Sequence, residues 1–409
     1  MSVEFRQATL DNGLTVIAET DPAAHTAAVG FFVRTGARDE PRELMGVSHF
    51  LEHMMFKGTA RRTAFEVNRD FDRIGASYNA STSHEVTMYY AHVLPEYLSE
   101  AIDLLSDMLR PALRVDDFQT EKQVILEEIG MYADRPFWQV YEQALERFYG
   151  DHPLSFRVLG TQESITALTR DQMYDYFVRR YGPDNMVVSL AGRIDFDAVV
   201  RQLAGACGTW AATGAERDHR VVIPQARDSS MARKETNMHY LLGIAPGPSA
   251  QEEDRYAAAV LGQVLGDTDN SRLYWELIEP GLAEELDFSH HPHDQTGTYM
   301  WYASCRPENA HEVERRLLRV LDAASEGFHE REVQRAVSKI AMDLTLQNER
   351  PAGRMMALGG QWLYLGEYLP LAEILRRVQA VTPDALKALA QKYPFQPRTL
   401  VRMSPGAGA

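Results

Sequence analysis

The spacing of hydrophobic and polar positions changes period along the chain, and each change marks an element. Residues 5–10 and 14–19 read as strands around Asp11-Asn12-Gly13, a tight hairpin signal. Residues 26–35 read as a third strand, with Val29, Phe31 and Val33 alternating. A helix is expected over 64–74, and 77–93 returns as one or two strands. Leu98, Ile102, Leu105 and Met108 give 97–109 a helical period. Further helices are expected over 115–131, 137–149 and 171–181, with a buried strand at 186–191.

The period disappears at 211–230. Thr213-Gly-Ala-Glu-Arg-Asp-His-Arg220 has no apolar repeat and Pro224 follows, so 213–228 reads as a linker. It separates an N-terminal half, 1–212, from a C-terminal half, 229–409. After it the order of elements repeats: a strand at 237–244, helices at 254–265 and 272–278, strands within 284–306, then helices to the C-terminus. The repetition predicts an α+β fold of two similar halves, each a sheet with helices packed on it.

At 409 residues the chain is long enough for two domains with substantial cores. A hydrophobic share of 45% and a charged share of 24% are those of an ordinary globular protein. The formal net charge of −16 disfavours nucleic acid and anionic membrane as partners, because phosphate contacts need clustered Lys and Arg. Two cysteines, Cys207 and Cys305, make neither a disulfide framework nor a zinc knuckle and read as buried thiols. The opening residues lack a basic-then-apolar leader, and no run of 18 apolar residues occurs, so a cytoplasmic protein without a membrane span is expected.

One stretch carries concentrated chemistry, Gly46-Val-Ser-His-Phe-Leu-Glu-His-Met-Met-Phe-Lys-Gly-Thr59. In a helix, His49 and His53 are i and i+4 and share a face. Two imidazoles so placed suit a tetrahedral Zn²⁺ site. Glu52 reaches the same space without being a ligand. In the helix expected over 115–131, Glu121 and Glu128 are seven apart and share a face. Glu128 is the expected third ligand. Glu121 is expected behind it, accepting an imidazole N–H and fixing the tautomer.

These motifs resemble the pitrilysin/insulysin family of inverzincins, in which H-x-x-E-H is followed some 75 residues later by a glutamate ligand. Gly36-Ala-Arg-Asp-Glu-Pro before the motif, Phe56-Lys-Gly-Thr59 after it, Gly75-Ala-Ser-Tyr-Asn-Ala-Ser-Thr82 and Glu121-x-x-Val-Ile-x-Glu-Glu128 agree with the family over essentially the full length. The short bacterial members are the most similar. The resemblance implies duplicated α/β rolls closing as a clamshell, zinc-dependent endopeptidase activity on peptides or unfolded segments, and Glu52 as the base that takes a proton from water. It also implies that Asn79, Ala80 and Ser81 lie on a strand that binds the substrate backbone. The second half has Ala257-Ala-Ala-Val-Leu-Gly-Gln263 where the first has its motif, so it is expected to carry no metal.

One segment departs from the family. Active members use an Arg and a Tyr in Ser-Arg-Leu-Phe-x-Glu-Leu-Arg-Glu-Lys-x-Gly-Leu-Ala-Tyr. This chain reads Ser271-Arg-Leu-Tyr-Trp-Glu-Leu-Ile-Glu-Pro-Gly-Leu-Ala-Glu284, with Ile278 and Glu284 at those positions and one residue fewer between them. Some family enzymes are heterodimers that divide the zinc motif and the Arg/Tyr pair between subunits, and this chain resembles the zinc-bearing one. The alternatives are a homodimer with a substitute donor, Tyr299 or Arg306, and a non-catalytic scaffold subunit. His290-His-Pro-His293 also offers metal-binding side chains, but reads as surface or cleft histidines.

Overall fold

The computed structural model describes residues 3–406. It divides into two units, each built on one sheet. The first sheet contains β1 (Glu4–Thr9), β2 (Thr15–Thr20), β3 (Ala27–Val33), β4 (Ser77–Thr82), β5 (Thr87–Val93) and β6 (Met186–Gly192). Their order is β1-β2-β6-β3-β5-β4, with β2–β6 parallel and the other pairs antiparallel. β3 and β6 are buried along their whole length. Val29, Phe31 and Val33 face the larger core, while Ala28 and Phe32 join a second core on the other face. Burial on both faces gives such strands near-continuous apolar runs.

The larger core is covered by α1 (Val47–Met55), α2 (Ala64–Arg73) and α3 (Leu98–Met108), and Phe118 and Ile125 of α4 (Val115–Ala133) reach into it. α2 opens on a reciprocal cap in which Thr63 and Glu66 satisfy each other's backbone N–H groups.

The second sheet contains β7 (Ser229–Arg233), β8 (His239–Pro246), β9 (Glu285–His293), β10 (Thr296–Cys305) and β11 (Thr399–Pro405). Its order is β7-β11-β8-β10-β9, with only β7–β11 parallel. Strand for strand, order and sense match β2-β6-β3-β5-β4. The halves are therefore similar in topology, and β1 is an addition to the first.

Each sheet has one face covered by a helix from the other stretch of sequence. Residues 131–155 belong to the second unit and residues 346–368 to the first. In α5 (Pro136–Tyr149), Val140, Ala144 and Phe148 pack with Leu242, Ile244, Met300 and Val401. In the helix Pro351–Leu365, Met355, Leu358 and Leu363 pack with Ile17, Ala28, Phe32 and Val187. The expected division into contiguous halves does not include this exchange. The chain crosses between the units after residues 130, 155, 218, 345 and 368, and one of these crossings, Asp218 to His219, lies inside the stretch expected as a linker.

The expectation of helices to the C-terminus is corrected at the end, where β11 is a strand in the interior of the second sheet. Its pairing partners lie far back in the chain, so no local signal announces it. The helix expected over 272–278 contains a single π-helical turn, Tyr274–Ile278. Cys207 and Cys305 are buried free thiols. Among the described residues no helix is long and apolar enough to cross a membrane.

Candidate metal centre

α1 starts at Gly46, which adopts φ 91°. A Cβ there would meet the Leu159 carbonyl oxygen at 2.6 Å, so the turn needs glycine. Val47, Phe50, Leu51, Met54 and Met55 of α1 are buried in the core. The remaining face presents His49, Glu52 and His53, all half-buried.

The N-terminus of α1 is capped by a residue the sequence analysis did not single out. Glu40 Oε2 accepts from the Gly46 N–H at 2.7 Å and its Oε1 from the Ser48 N–H at 2.8 Å. These satisfy backbone donors that the helix itself cannot. Burial pushes the Glu40 carboxyl up to about 8, against the pull of those N–H groups.

His49, His53 and Glu128 converge. Glu128 Oε2 lies 3.8 Å from His49 Nε2 and 3.8 Å from His53 Nε2, too far for hydrogen bonds. The imidazole centroids are 4.7 Å apart. The three side chains offer ligand atoms all within 4.8 Å of one another, the one such group found among the described residues. Ligand atoms about 2.0–2.2 Å from one zinc ion must lie a few ångströms apart, so the donor set fits the ion.

The two imidazoles differ in their electrostatic setting. Burial, reinforced by His53, lowers His49 to about 3, which leaves it neutral. His53 Nδ1 is 2.8 Å from Glu121 Oε1, an acceptor, so in the neutral ring Nδ1 carries the proton and Nε2, 3.8 Å from Glu128 Oε2, is the unprotonated nitrogen. Burial works against protonation of His53, but the Glu121 hydrogen bond and the nearby carboxylates outweigh it and raise its pKa. Burial would raise Glu121 as well, but its bonds to His53 and Lys57 prevail and hold it below the usual carboxylate range. Glu52 is raised, chiefly by burial, with Thr82 pulling back; Thr82 Oγ1 donates to Glu52 Oε2 at 2.7 Å.

Two profiles of known families match the chain. The one described as insulinase (peptidase family M16) matches residues 15–162, and the one described as peptidase M16 inactive domain matches residues 167–340. An uncharacterized zinc protease of Streptomyces coelicolor is 35% identical over 400 residues, covering 94% of this chain and 86% of that one. The chain belongs to the M16 peptidase family. Another M16 relative, from Bacillus subtilis and also named an uncharacterized zinc protease, is 31% identical over 98% of both chains. A protease from Helicobacter pylori superposes with a TM-score of 0.92 over 99% of this chain and 100% of that one, at 20% identity. A peptidase M16 inactive domain from Pseudomonas fluorescens gives 0.89 at 18%, covering 99% of each chain. At these identities the two structures show the M16 fold alone.

Around the M16 motif, β4 is an edge strand, paired only with β5. Ala80 is buried toward α1, and Asn79 and Ser81 are exposed on the opposite face. Thr82 shares the face of Ala80, which carries its hydroxyl to Glu52. That face parity was readable in the sequence; its partner was not. Lys57, which holds the second oxygen of Glu121, sits one turn beyond His53 and was equally unforeseen.

In the second unit, Ile278 is half-buried against the core and Glu284 is exposed, 3.8 Å from Arg306. Tyr299 is fully buried against Phe288 and Phe395, and its hydroxyl is enclosed without a hydrogen-bond partner. It is a core residue of the second unit. His290 binds the Pro248 carbonyl at 2.8 Å and His291 the Ser289 hydroxyl at 2.9 Å. These histidines alternate along β9, so His290 points away from His291 and His293.

Proposed function

We propose that this M16 chain is a zinc-dependent endopeptidase acting on peptides or unfolded segments, and that it works with a homologous partner subunit. The observation that carries the reading is the convergence of His49, His53 and Glu128 beside Glu52. His49 and His53 would hold the ion through Nε2 and Glu128 through a carboxylate oxygen. Zinc, when bound, supplies Lewis acidity to a peptide carbonyl and acidifies water from 15.7 to roughly 7.

The chain's own residues do the rest. Glu121 keeps the His53 tautomer that leaves Nε2 free. Thr82 occupies Oε2 of Glu52 and leaves Oε1 for the attacking water. Glu52 takes that water's proton and returns it to the leaving amine, a role worth ~10²–10⁴-fold in rate. The outer edge of β4, at Asn79, Ala80 and Ser81, supplies backbone groups for an extended substrate strand, which would replace the Asn79 Oδ1 that accepts from the Ala80 N–H at 2.9 Å.

Ile278 and Glu284 motivate the partner. Isoleucine has no donor, and a carboxylate cannot donate to an oxyanion. A second subunit with the Arg/Tyr pair would complete the site. The same two residues favour a second reading, a non-catalytic scaffold. The test is metal analysis of the purified protein and hydrolysis of a mixed fluorogenic peptide library, alone and with fractions of source-cell lysate, with Glu52→Gln as control. Zinc with Glu52-dependent hydrolysis only after a fraction is added is the expected result. Full activity of the pure protein removes the partner, and a protein that binds no zinc is the scaffold.

A further inference from the structure

Residues 216–218, the end of one of the three segments that make up the first unit, are bound into it by a buried polar cluster. Arg217 is 9% exposed. Its Nε and Nη2 donate to the two oxygens of Asp39 at 3.0 and 2.8 Å, and Nη2 also reaches the Glu85 carbonyl. The Glu216 carbonyl accepts from Arg180 Nη1 at 2.7 Å, and the Asp218 carbonyl from Arg38 Nη2 at 3.4 Å. Arg38 pairs with the Glu85 carboxylate, which also accepts from the Tyr364 hydroxyl at 3.0 Å. Three buried arginines thus enclose two buried carboxylates, and every one of these contacts spans a long stretch of sequence.

The cluster leads to the metal helix by two short routes. Asp39, held by Arg217 and by Arg180 at 3.0 Å, is followed directly by Glu40, the cap of α1. Arg180 Nε donates to Thr35 Oγ1 at 3.2 Å. Thr35 Oγ1 and Ser48 Oγ each lie 2.7 Å from the Tyr176 hydroxyl. Ser48 precedes His49. Both routes end on the first turn of α1, one residue before the first expected ligand.

We propose that Arg217 is a positioning residue for the metal centre: by seating the segment that leaves the first unit against Asp39 and Glu85, it fixes the start of α1 and so the placement of His49 and His53. The inference rests on the reading of those histidines as zinc ligands. Loss of the Arg217 fork leaves Asp39 with one fewer guanidinium and loosens the end of the 36–40 segment that carries the cap, which then rests on Arg180 and on the backbone bonds of Ala37 and Arg38 to Ser83 and His84. A group that acts on a site through a chain of contacts typically changes the coupling by about 0.5–2 kcal/mol, roughly 2–30-fold in affinity.

The experiment compares wild type, Arg217→Met, Arg217→Lys and Arg354→Met in the full chain. Arg354 forms a buried ion pair with Glu19 in the same unit, away from α1, and controls for loss of stability alone. Zinc dissociation constants come from competition with a chromogenic chelator. Arg217→Met is expected to weaken zinc by roughly 3–30-fold and Arg217→Lys by less, because lysine keeps the charge without the fork. Arg354→Met is expected to stay within about twofold of wild type. In zinc-free protein, amide hydrogen exchange at Gly46 and Ser48 is expected to accelerate beyond the change in global stability in Arg217→Met, and by no more than that change in Arg354→Met. Unchanged zinc affinity and exchange in Arg217→Met overturn the inference, as does an equal loss in Arg354→Met. If Arg217→Met fails to fold, Arg217→Lys gives the same comparison. A wild type that binds no zinc, with exchange still responding to Arg217, overturns the metal reading instead.

Discussion

At the scale of single residues, His53 and Glu52 are each held by a side chain outside the expected ligand set. Glu121 accepts a hydrogen bond from the His53 Nδ1–H and is itself held by Lys57. Glu121→Gln removes the charge that orients the ring, and zinc affinity is expected to fall ~10–100-fold in a chelator competition. Thr82 stands in the same relation to Glu52. A hydrogen bond to a charged group is worth about 1.5–3 kcal/mol, so Thr82→Val should lower kcat ~10-fold or more with zinc content unchanged. Thr82→Ser, which keeps the hydroxyl, should restore most of the rate. An unaltered kcat in Thr82→Val would remove Thr82 from the machinery.

At the scale of elements, α1 is held at its first turn by Glu40. Its pKa is pushed up to about 8 by burial, from an ordinary value of 4.5. The folded protein therefore holds this proton more tightly than the unfolded chain. The resulting stability is fully present below about 4.5 and is lost as pH rises through about 8. Glu40→Gln mimics the protonated acid and carries no such dependence. Thermal unfolding from pH 6 to 9 should shift the Tm difference progressively in favour of Glu40→Gln; a flat difference would show that Glu40 titrates ordinarily. The segment ahead of α1 is held just as closely. A Cβ at Gly36 would meet the Ser83 carbonyl oxygen at 2.3 Å and backbone atoms of His84 and Glu85. Gly36→Ala should cost about 1–3 kcal/mol in chemical denaturation by forcing this segment off the β4–β5 hairpin.

At the scale of the whole molecule, the helix exchange makes each sheet dependent on the other stretch of sequence. A fragment cut after 218 lacks the helix Pro351–Leu365 and uncovers Ile17, Ala28, Phe32 and Val187. It also carries α5 without the strands that bury Val140, Ala144 and Phe148. Both surfaces are apolar and contiguous, the signature of an aggregating fragment. Expressed alone, residues 1–218 should be insoluble or aggregated by size-exclusion chromatography, and co-expression with 219–409 should recover soluble complex. A monodisperse 1–218 fragment would show that the exchanged helix is dispensable. Within the first unit, Arg354→Met leaves the buried Glu19 carboxylate without its guanidinium and should lower unfolding free energy by about 3–5 kcal/mol.

The sequence by itself determined what depends on near neighbours. Helical spacing put His49, Glu52 and His53 on one face of α1, and Glu121 and Glu128 on one face of α4, because side-chain direction repeats every turn. Alternation identified β3, and the lost period covers one of the places where the chain crosses between the units. The repeat of elements predicted two similar halves. Tertiary structure alone decided which distant groups meet. It brought Glu128 to the imidazoles, Thr82 to Glu52, Glu40 to the start of α1 and Arg217 to Asp39. It also placed β11 inside the second sheet and moved two helices between the units. No local period encodes these pairings. Each is fixed by burial of apolar surface and by the need of a buried charge or backbone donor for a partner, and the partner that satisfies it lies wherever the folded chain returns.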